Sequence, residues 1–327
     1  MNLNNMVIVE DLIDVGLLYE NYWGRINIQS VVAEVVRSEL ETNNENCSDF
    51  LEIVRVLCLN EANTIGVGER TILQMTASVF WNMDFNDTDF QLRFVHDCFK
   101  FTERRGESSL NDDMIAFEQN NHRDDPELKA LYLSDAAYYE MIQKHLDNAI
   151  DYQMQAVDCS KNCDNNVILQ ANTVSTYGYY LNLADRKEEA LKAMQIGLAL
   201  FDQFDGDGAF YFDKYRAVIN YADLLFSLGR TDKAISQVSA AEESLQEYGL
   251  QDTEVYADCI YSLGLYHLCL NDSTAGNELV SAFRIFIDLY GKDSDFVHTR
   301  AAELQGYIEN AHSNIMEYEP LKQLLGE

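Results

Sequence analysis

The sequence predicts an all-α fold: a right-handed superhelical α-solenoid of stacked antiparallel helix pairs behind an N-terminal helical region. Three observations lead there. Small residues twelve apart recur as Ala137/Ala149, Gly178/Ala190, Ala222/Ala234 and Gly264/Gly276, the first members stepping by 41, 44 and 42 residues. Around them apolar residues fall at i, i+3, i+4 and i+7, one face of a helix. Only 2 prolines interrupt the 327 residues, and few stretches alternate as strands do. Stacked helical hairpins need this period, because each hairpin buries its apolar face only against its neighbours.

The first 125 residues read as helical without locking to that phase. Helices are expected near 7–21, 26–42, 48–60, 69–83, 88–104 and 110–119, with loops at 63–68 and 86–87. Trp23 and Trp81 are read as core anchors. Asp124-Asp125-Pro126 marks a boundary, since a residue before proline avoids helix and proline suits a first helical turn. Two regions follow, 1–125 and 126–327. The first is either degenerate repeats or a separate bundle, and the second holds about four and a half units.

Within 126–327 each unit repeats one plan. Val218, Tyr221, Ala222 and Leu225 share a face, Gly229 suits the left-handed residue past a helix end, and Ala234, Val238, Ala241 and Leu245 form the second apolar stripe. Leu133, Ala136 and Ala137 lead likewise to Ala149 and Ala156, and Val174, Tyr177 and Gly178 to Ala190, Met194 and Gly197. Ile260, Leu263 and Gly264 lead to Gly276, Val280 and Phe283. Gly306 continues the phase into a final half-unit, with 315–325 expected as a cap. A small residue at each crossing lets two backbones approach, and a larger one there would cost roughly 1–3 kcal/mol.

These residues resemble the tetratricopeptide repeat family over roughly 128–325. The apolar-small pairs Tyr177-Gly178 and Leu263-Gly264, with "DRKEEAL" (185–191) and "GRTDKAI" (229–235) at the turn and second-helix start, carry the likeness. The family's closing proline is replaced by Lys161, Asp202, Gln246 and Asp288, and the period exceeds the common ~34. Both departures look like the long-repeat variety found in kinesin light chains and many bacterial regulators. The resemblance implies a superhelix that holds a protein or peptide.

Charge narrows the partner. With 23 basic and 55 acidic residues the chain carries −32, and its first 120 residues already hold 21 acids against 8 bases. Such a field repels phosphate backbones and anionic membranes and favours basic partners. Nucleic-acid binding and membrane association are therefore not expected. Seven scattered cysteines, no signal-peptide pattern and no long apolar run give an expectation of a cytoplasmic protein.

No motif for catalysis stands out, so no enzyme activity, cofactor or metal is expected. "IGVGER" (65–70) lacks the lysine and hydroxyl of a phosphate loop. "DQFDGDGAFYFDK" (202–214) lacks the closing acid of a calcium loop, having Lys214 there. Cys159 and Cys163 lie one turn apart but read as unpaired thiols, and His267 reads as a packed, satisfied side chain.

The resemblance puts the first helix of each unit on the concave face. Positions six before, two before and one after the small residue then line a groove. Asn172 and Arg216 stand in the first column, Asp135, Thr176, Asn220 and Ser262 in the second, and Tyr138, Tyr179 and Asp223 in the third. Amides and hydroxyls beside tyrosines suit an extended peptide backbone. The expected function is a non-catalytic protein- or peptide-binding scaffold. Alternatives are a peptide-responsive regulator working through protein contacts, a non-catalytic subunit of an enzyme complex, an enzyme using the N-terminal part, or self-assembly. The sequence leaves the oligomeric state open.

Overall fold

A computed structural model of the chain describes residues 18–20, 26–28, 43–59, 69–104, 108–121, 125–163, 166–203, 211–292 and 294–311. Among them are two short strands and thirteen helices. Strands β1 (Leu18–Glu20) and β2 (Ile26–Ile28) pair antiparallel with Tyr19 opposite Asn27. The expected helices over 7–21 and 26–42 are thus corrected at these six positions. "INI" alternates with period two and Gly24 falls between the runs, a hairpin pattern that short apolar runs easily conceal. The remainder of those two expected helices, the 63–68 loop and Trp23 lie outside the described residues.

Four helices follow: α1 (Ser48–Leu59), α2 (Glu69–Asn82), α3 (Thr88–Arg104) and α4 (Ser108–Asn121). Asp87 starts α3, its carboxylate accepting the N–H groups of Asp89 and Phe90. Leu51 and Val54 of α1, Ile72 and Val79 of α2, Phe94, Val95, Cys98 and Phe99 of α3, and Leu110 and Met114 of α4 share one core. Burying each large apolar side chain contributes roughly 1.5–3 kcal/mol. Trp81 is not part of that core, being 57% exposed with its ring edge-on to Phe80 at 5.1 Å. Ile72, Thr76 and Val79 set the inward face of α2, and Trp81 lies roughly 200° round from Val79.

The hairpins begin at α5 (Pro126–Ile142), where Asp125 accepts hydrogen bonds from the N–H groups of Glu127 and Leu128. They continue through α6 (Leu146–Ser160), α7 (Val167–Leu183), α8 (Lys187–Phe201), α9 (Tyr211–Ser227) and α10 (Thr231–Glu247). Then come α11 (Glu254–Cys269), α12 (Ala275–Tyr290) and α13 (Asp295–Ala311). Each pair packs internally, and alternate helices touch: α5 meets α7, α7 meets α9, α9 meets α11, and α11 meets α13. The same alternation joins α1 to α3 and α3 to α5.

One turn closes all four hairpins. Lys144, Asp185, Gly229 and Asn271 have φ of 65°, 57°, 72° and 56°. After each, an N–H donates back across five residues: His145 to Glu140, Arg186 to Leu181, Arg230 to Leu225 and Asp272 to His267. This is the Schellman stop, in which a left-handed residue lets the last helical carbonyls find donors.

The crossings are tight where small residues are expected. Ala137, Ala149, Ala190, Ala222 and Ala234 are fully buried. A Cβ on Gly178 would stand 2.6 Å from Met194 Cγ, and one on Gly197 would stand 2.0 Å from Ser175 Oγ. In the fourth unit the register slips by one residue. Ala275 is fully buried rather than Gly276, and Leu279 meets Gly264 as Met194 meets Gly178. Helix α12 begins only at Ala275, directly after an Asp272–Thr274 turn, so its inward face is set one position earlier. Gly306 meets nothing within 4 Å among the described residues, so it marks no crossing there.

Candidate functional site

A cavity of about 800 Å³ opens between the N-terminal helices and helices α5, α6, α7, α9 and α11 of the hairpins. Its wall takes Cys58 and Leu59 from α1, His96, Asp97 and Lys100 from α3, and Leu131, Ser134 and Tyr138 from α5. Gln153 of α6, Asn172, Thr176 and Tyr179 of α7, Asp213 and Arg216 of α9, and Glu254 of α11 line it too, among apolar neighbours that include Phe101, Met141 and Leu169. That volume lies within the range of pockets that hold a compact organic ligand or a few peptide residues.

Five of the nine groove positions expected from sequence line this cavity: Tyr138, Asn172, Thr176, Tyr179 and Arg216. The Asn172 amide donates to Asp213 at 3.0 Å, and Arg216 approaches Glu254 at 3.4 Å. Glu254 also accepts the Tyr290 hydroxyl at 2.5 Å. Tyr138 lies edge-on to Phe99 at 6.3 Å, fixing its ring against the N-terminal core. Burial, then the Asp223 charge, pushes the Tyr179 hydroxyl above its ordinary range, so it stays protonated and able to donate.

The other four sit elsewhere. Asn220 is half-buried beyond the cavity wall. Asp223 accepts the Tyr266 hydroxyl at 2.5 Å, and Tyr266 stacks on Phe226 at 4.5 Å, away from the cavity wall. Ser262 is buried, 6% exposed, because α11 is enclosed by its neighbours on nearly every side.

Asp135 is fully buried, covered by α3 and α4, and so is no part of the groove surface. It holds His96 instead. His96 Nδ1 lies 2.7 Å from Asp135 Oδ2, so the ring donates its hydrogen to the carboxylate. Burial opposes the charged ring, but Asp135 outweighs it and the imidazole is raised above its ordinary 6.5. Behind them Glu118 is buried to 1% exposure. Burial first, then the Asp135 charge, lifts Glu118 well above the carboxylate range, so it keeps a proton and donates it to Asp135. His96 makes no other side-chain hydrogen bond among the described residues, so the pair lacks the nucleophile contact of a hydrolytic triad.

Sequence reading missed His96 and Lys100 because they lie outside the repeat. Their signal is there in hindsight: Arg93, His96, Asp97 and Lys100 form a polar stripe opposite Val95, Cys98 and Phe99 on α3. Arg93 is tied to Glu127 of α5 at 2.7 Å, and Asp97 accepts from Arg55 Nε at 2.6 Å. His267 is half-buried with Nδ1 2.7 Å from Glu278, satisfied as expected. Residues 204–210 of the loop considered for calcium lie outside the described residues.

Helix pairs in four phased units, closed by one kind of turn and stacked through alternate helices, decide the architecture. The fold is TPR-like. A Rap protein complexed with Competence and Sporulation Factor superposes with a TM-score of 0.55, 15% identity, and coverage of 86% of this chain and 80% of its own. The apo form of RapI gives 0.53 and 14%, covering 85% and 75%. A Podosopora anserina kinesin light chain structure with TPR-like repeats gives 0.46 and 9%, covering 62% and 98%. No protein-family model and no curated protein sequence matches the chain. No helix among the described residues is long and apolar enough to cross a membrane.

Proposed function

We propose that this TPR-like chain is a non-catalytic scaffold that holds a short peptide segment, free or within a protein, in the cavity between its N-terminal helices and first hairpins. The observation that carries this is the convergence of Tyr138, Asn172, Thr176, Tyr179 and Arg216 on one 800 Å³ space. Two half-buried tyrosine rings cover apolar side chains, while the amide, hydroxyl and guanidinium meet backbone carbonyls and N–H groups. The fold shared with a Rap protein in complex with Competence and Sporulation Factor supports a binding role. The setting we propose is cytoplasmic, and the net charge of −32 disfavours nucleic acid and favours ligands with basic segments.

One feature favours a regulator over a passive adaptor. Because α1 and α3 share the cavity wall with α7 and α9, an occupant touches both parts of the chain at once. Binding then biases how the N-terminal helices present themselves to another protein, in proportion to the differential contact.

The test is capture of random pentapeptides by the full chain, read by mass spectrometry, beside Thr176→Arg. Thr176 is half-buried on the cavity wall, where an arginine side chain would take up the space. Retention by the parent and loss in an equally stable Thr176→Arg supports the reading. Equal retention by both places binding elsewhere, and no retention by either sinks it.

A further inference from the structure

The cavity's ionic groups are not equally engaged. All three acids on its wall already accept from protein donors: Asp97 from Arg55, Asp213 from Asn172, and Glu254 from Tyr290 and Arg216. Of its two permanent cations, Arg216 has Glu254 within reach. Lys100 is exposed and has no ion pair among the described residues. One helical turn before it, His96 turns Nδ1 to the buried Asp135, which leaves Nε2 as the polar atom for the cavity side. Asp135 fixes that ring from behind and is itself fixed by Glu118, so the imidazole is held before any ligand arrives. Within a chain of net charge −32, the unused ionic capacity of this space is cationic.

Resting on the peptide reading above, we infer that His96 and Lys100 form an anchor for a carboxylate of the bound segment, either its C-terminus or an acidic side chain. The carboxylate takes one hydrogen bond from the Nε2–H of the His96 imidazolium, whose Nδ1–H is held by Asp135, and one from Lys100 Nζ, both charge-assisted. The rest of the segment runs away from α3 toward Tyr179 and Arg216. This gives the ligand a direction: an anionic end on the N-terminal helices, and a polar backbone along α7 and α9. The anchor is drawn from α3, outside the repeat, where a clamp built from the repeat columns alone would have only Arg216 as a base. The groups around the ring are Asp97 and Lys100 on its own helix, Asp135 and Tyr138 on α5, and Glu118 behind Asp135 on α4.

Three random pentapeptide pools test it on the full chain: free C-terminus without acidic residues, amidated without acidic residues, and amidated with Asp and Glu. The expected result is retention of the first or third pool roughly tenfold above the second, the worth of one charge-assisted hydrogen bond. Which of those two pools wins tells the C-terminal source from the side-chain source. Lys100→Gln, an exposed change that leaves folding intact, erases the preference, and His96→Asn does so in molecules of verified native circular dichroism. Equal retention of all three pools, or a preference surviving both substitutions, overturns the anchor while leaving the peptide groove standing. Retention of no pool overturns both.

Discussion

His96 of α3 and Asp135 of α5 are joined at 2.7 Å, and the carboxylate that joins them is wholly buried. Glu118 of α4 is a hydrogen-bonding neighbour of the same carboxylate, so one side chain of the first hairpin engages two N-terminal helices. Asp135→Ala strands a buried acid and an imidazole together. Breaking a buried pair from one side costs about 3–5 kcal/mol, and urea unfolding should lose stability on that scale.

The same group makes stability pH-dependent, and the signs agree. Burial and then Asp135 raise Glu118, so the folded chain keeps a proton that the unfolded chain releases above about 4.5. For His96, burial opposes and Asp135 dominates, again raising the folded value above 6.5. The contribution of each is therefore full below its unfolded value, about 4.5 for Glu118 and 6.5 for His96, and lost as pH rises through the raised value. Urea midpoints should fall between pH 6 and pH 8. Glu118→Gln, which still donates to Asp135 but cannot ionise, should flatten that slope and stabilise the chain at pH 8 by on the order of 1 kcal/mol.

Glycines at two crossings admit no methyl group. Gly178→Ala meets Met194 Cγ at 2.6 Å and backbone atoms of Met194 and Ala190 at 3.0 and 3.1 Å. Gly197→Ala meets Ser175 Oγ at 2.0 Å. Overpacking of about 1–3 kcal/mol outweighs the ~1 kcal/mol that alanine returns through helix propensity. Thermal denaturation should show both variants destabilised. Gly306→Ala, with open space around it, should instead gain about 0.5–1 kcal/mol.

The hairpin turns make an opposite pair. Lys144 holds φ of 65° with a side chain that disfavours it, whereas Gly229 holds 72° without strain. Lys144→Gly should raise stability by about 0.5–1 kcal/mol, and Gly229→Ala should lower it by about 1 kcal/mol. Differential scanning calorimetry of the two single variants is the check.

The solenoid was readable because crossings constrain chemistry: a position such as Ala234 admits only a small side chain, and its recurrence shows in the letters. Of the four left-handed turns Gly229 and the Asp185 turn were readable, whereas Lys144 carries no such signal and Asn271 went unread. The slip at Ala275 was hidden because Gly276 beside it is small too. Asp135 misled for a different reason. Its phase is that of a groove residue, but α3 and α4 pack over that side of α5. Cys58, Leu59, His96, Asp97, Lys100 and Phe101 of the cavity wall share no phase with the repeat.

The four turns also bear on why no family model matches a chain whose fold is so regular. What recurs every forty-odd residues is a dihedral angle and a hydrogen bond across five residues, and Lys, Asp, Gly and Asn each satisfy them. Backbone groups write that punctuation, and every residue type but proline supplies the same ones. A profile built on letters finds four different symbols where the chain uses a single stop.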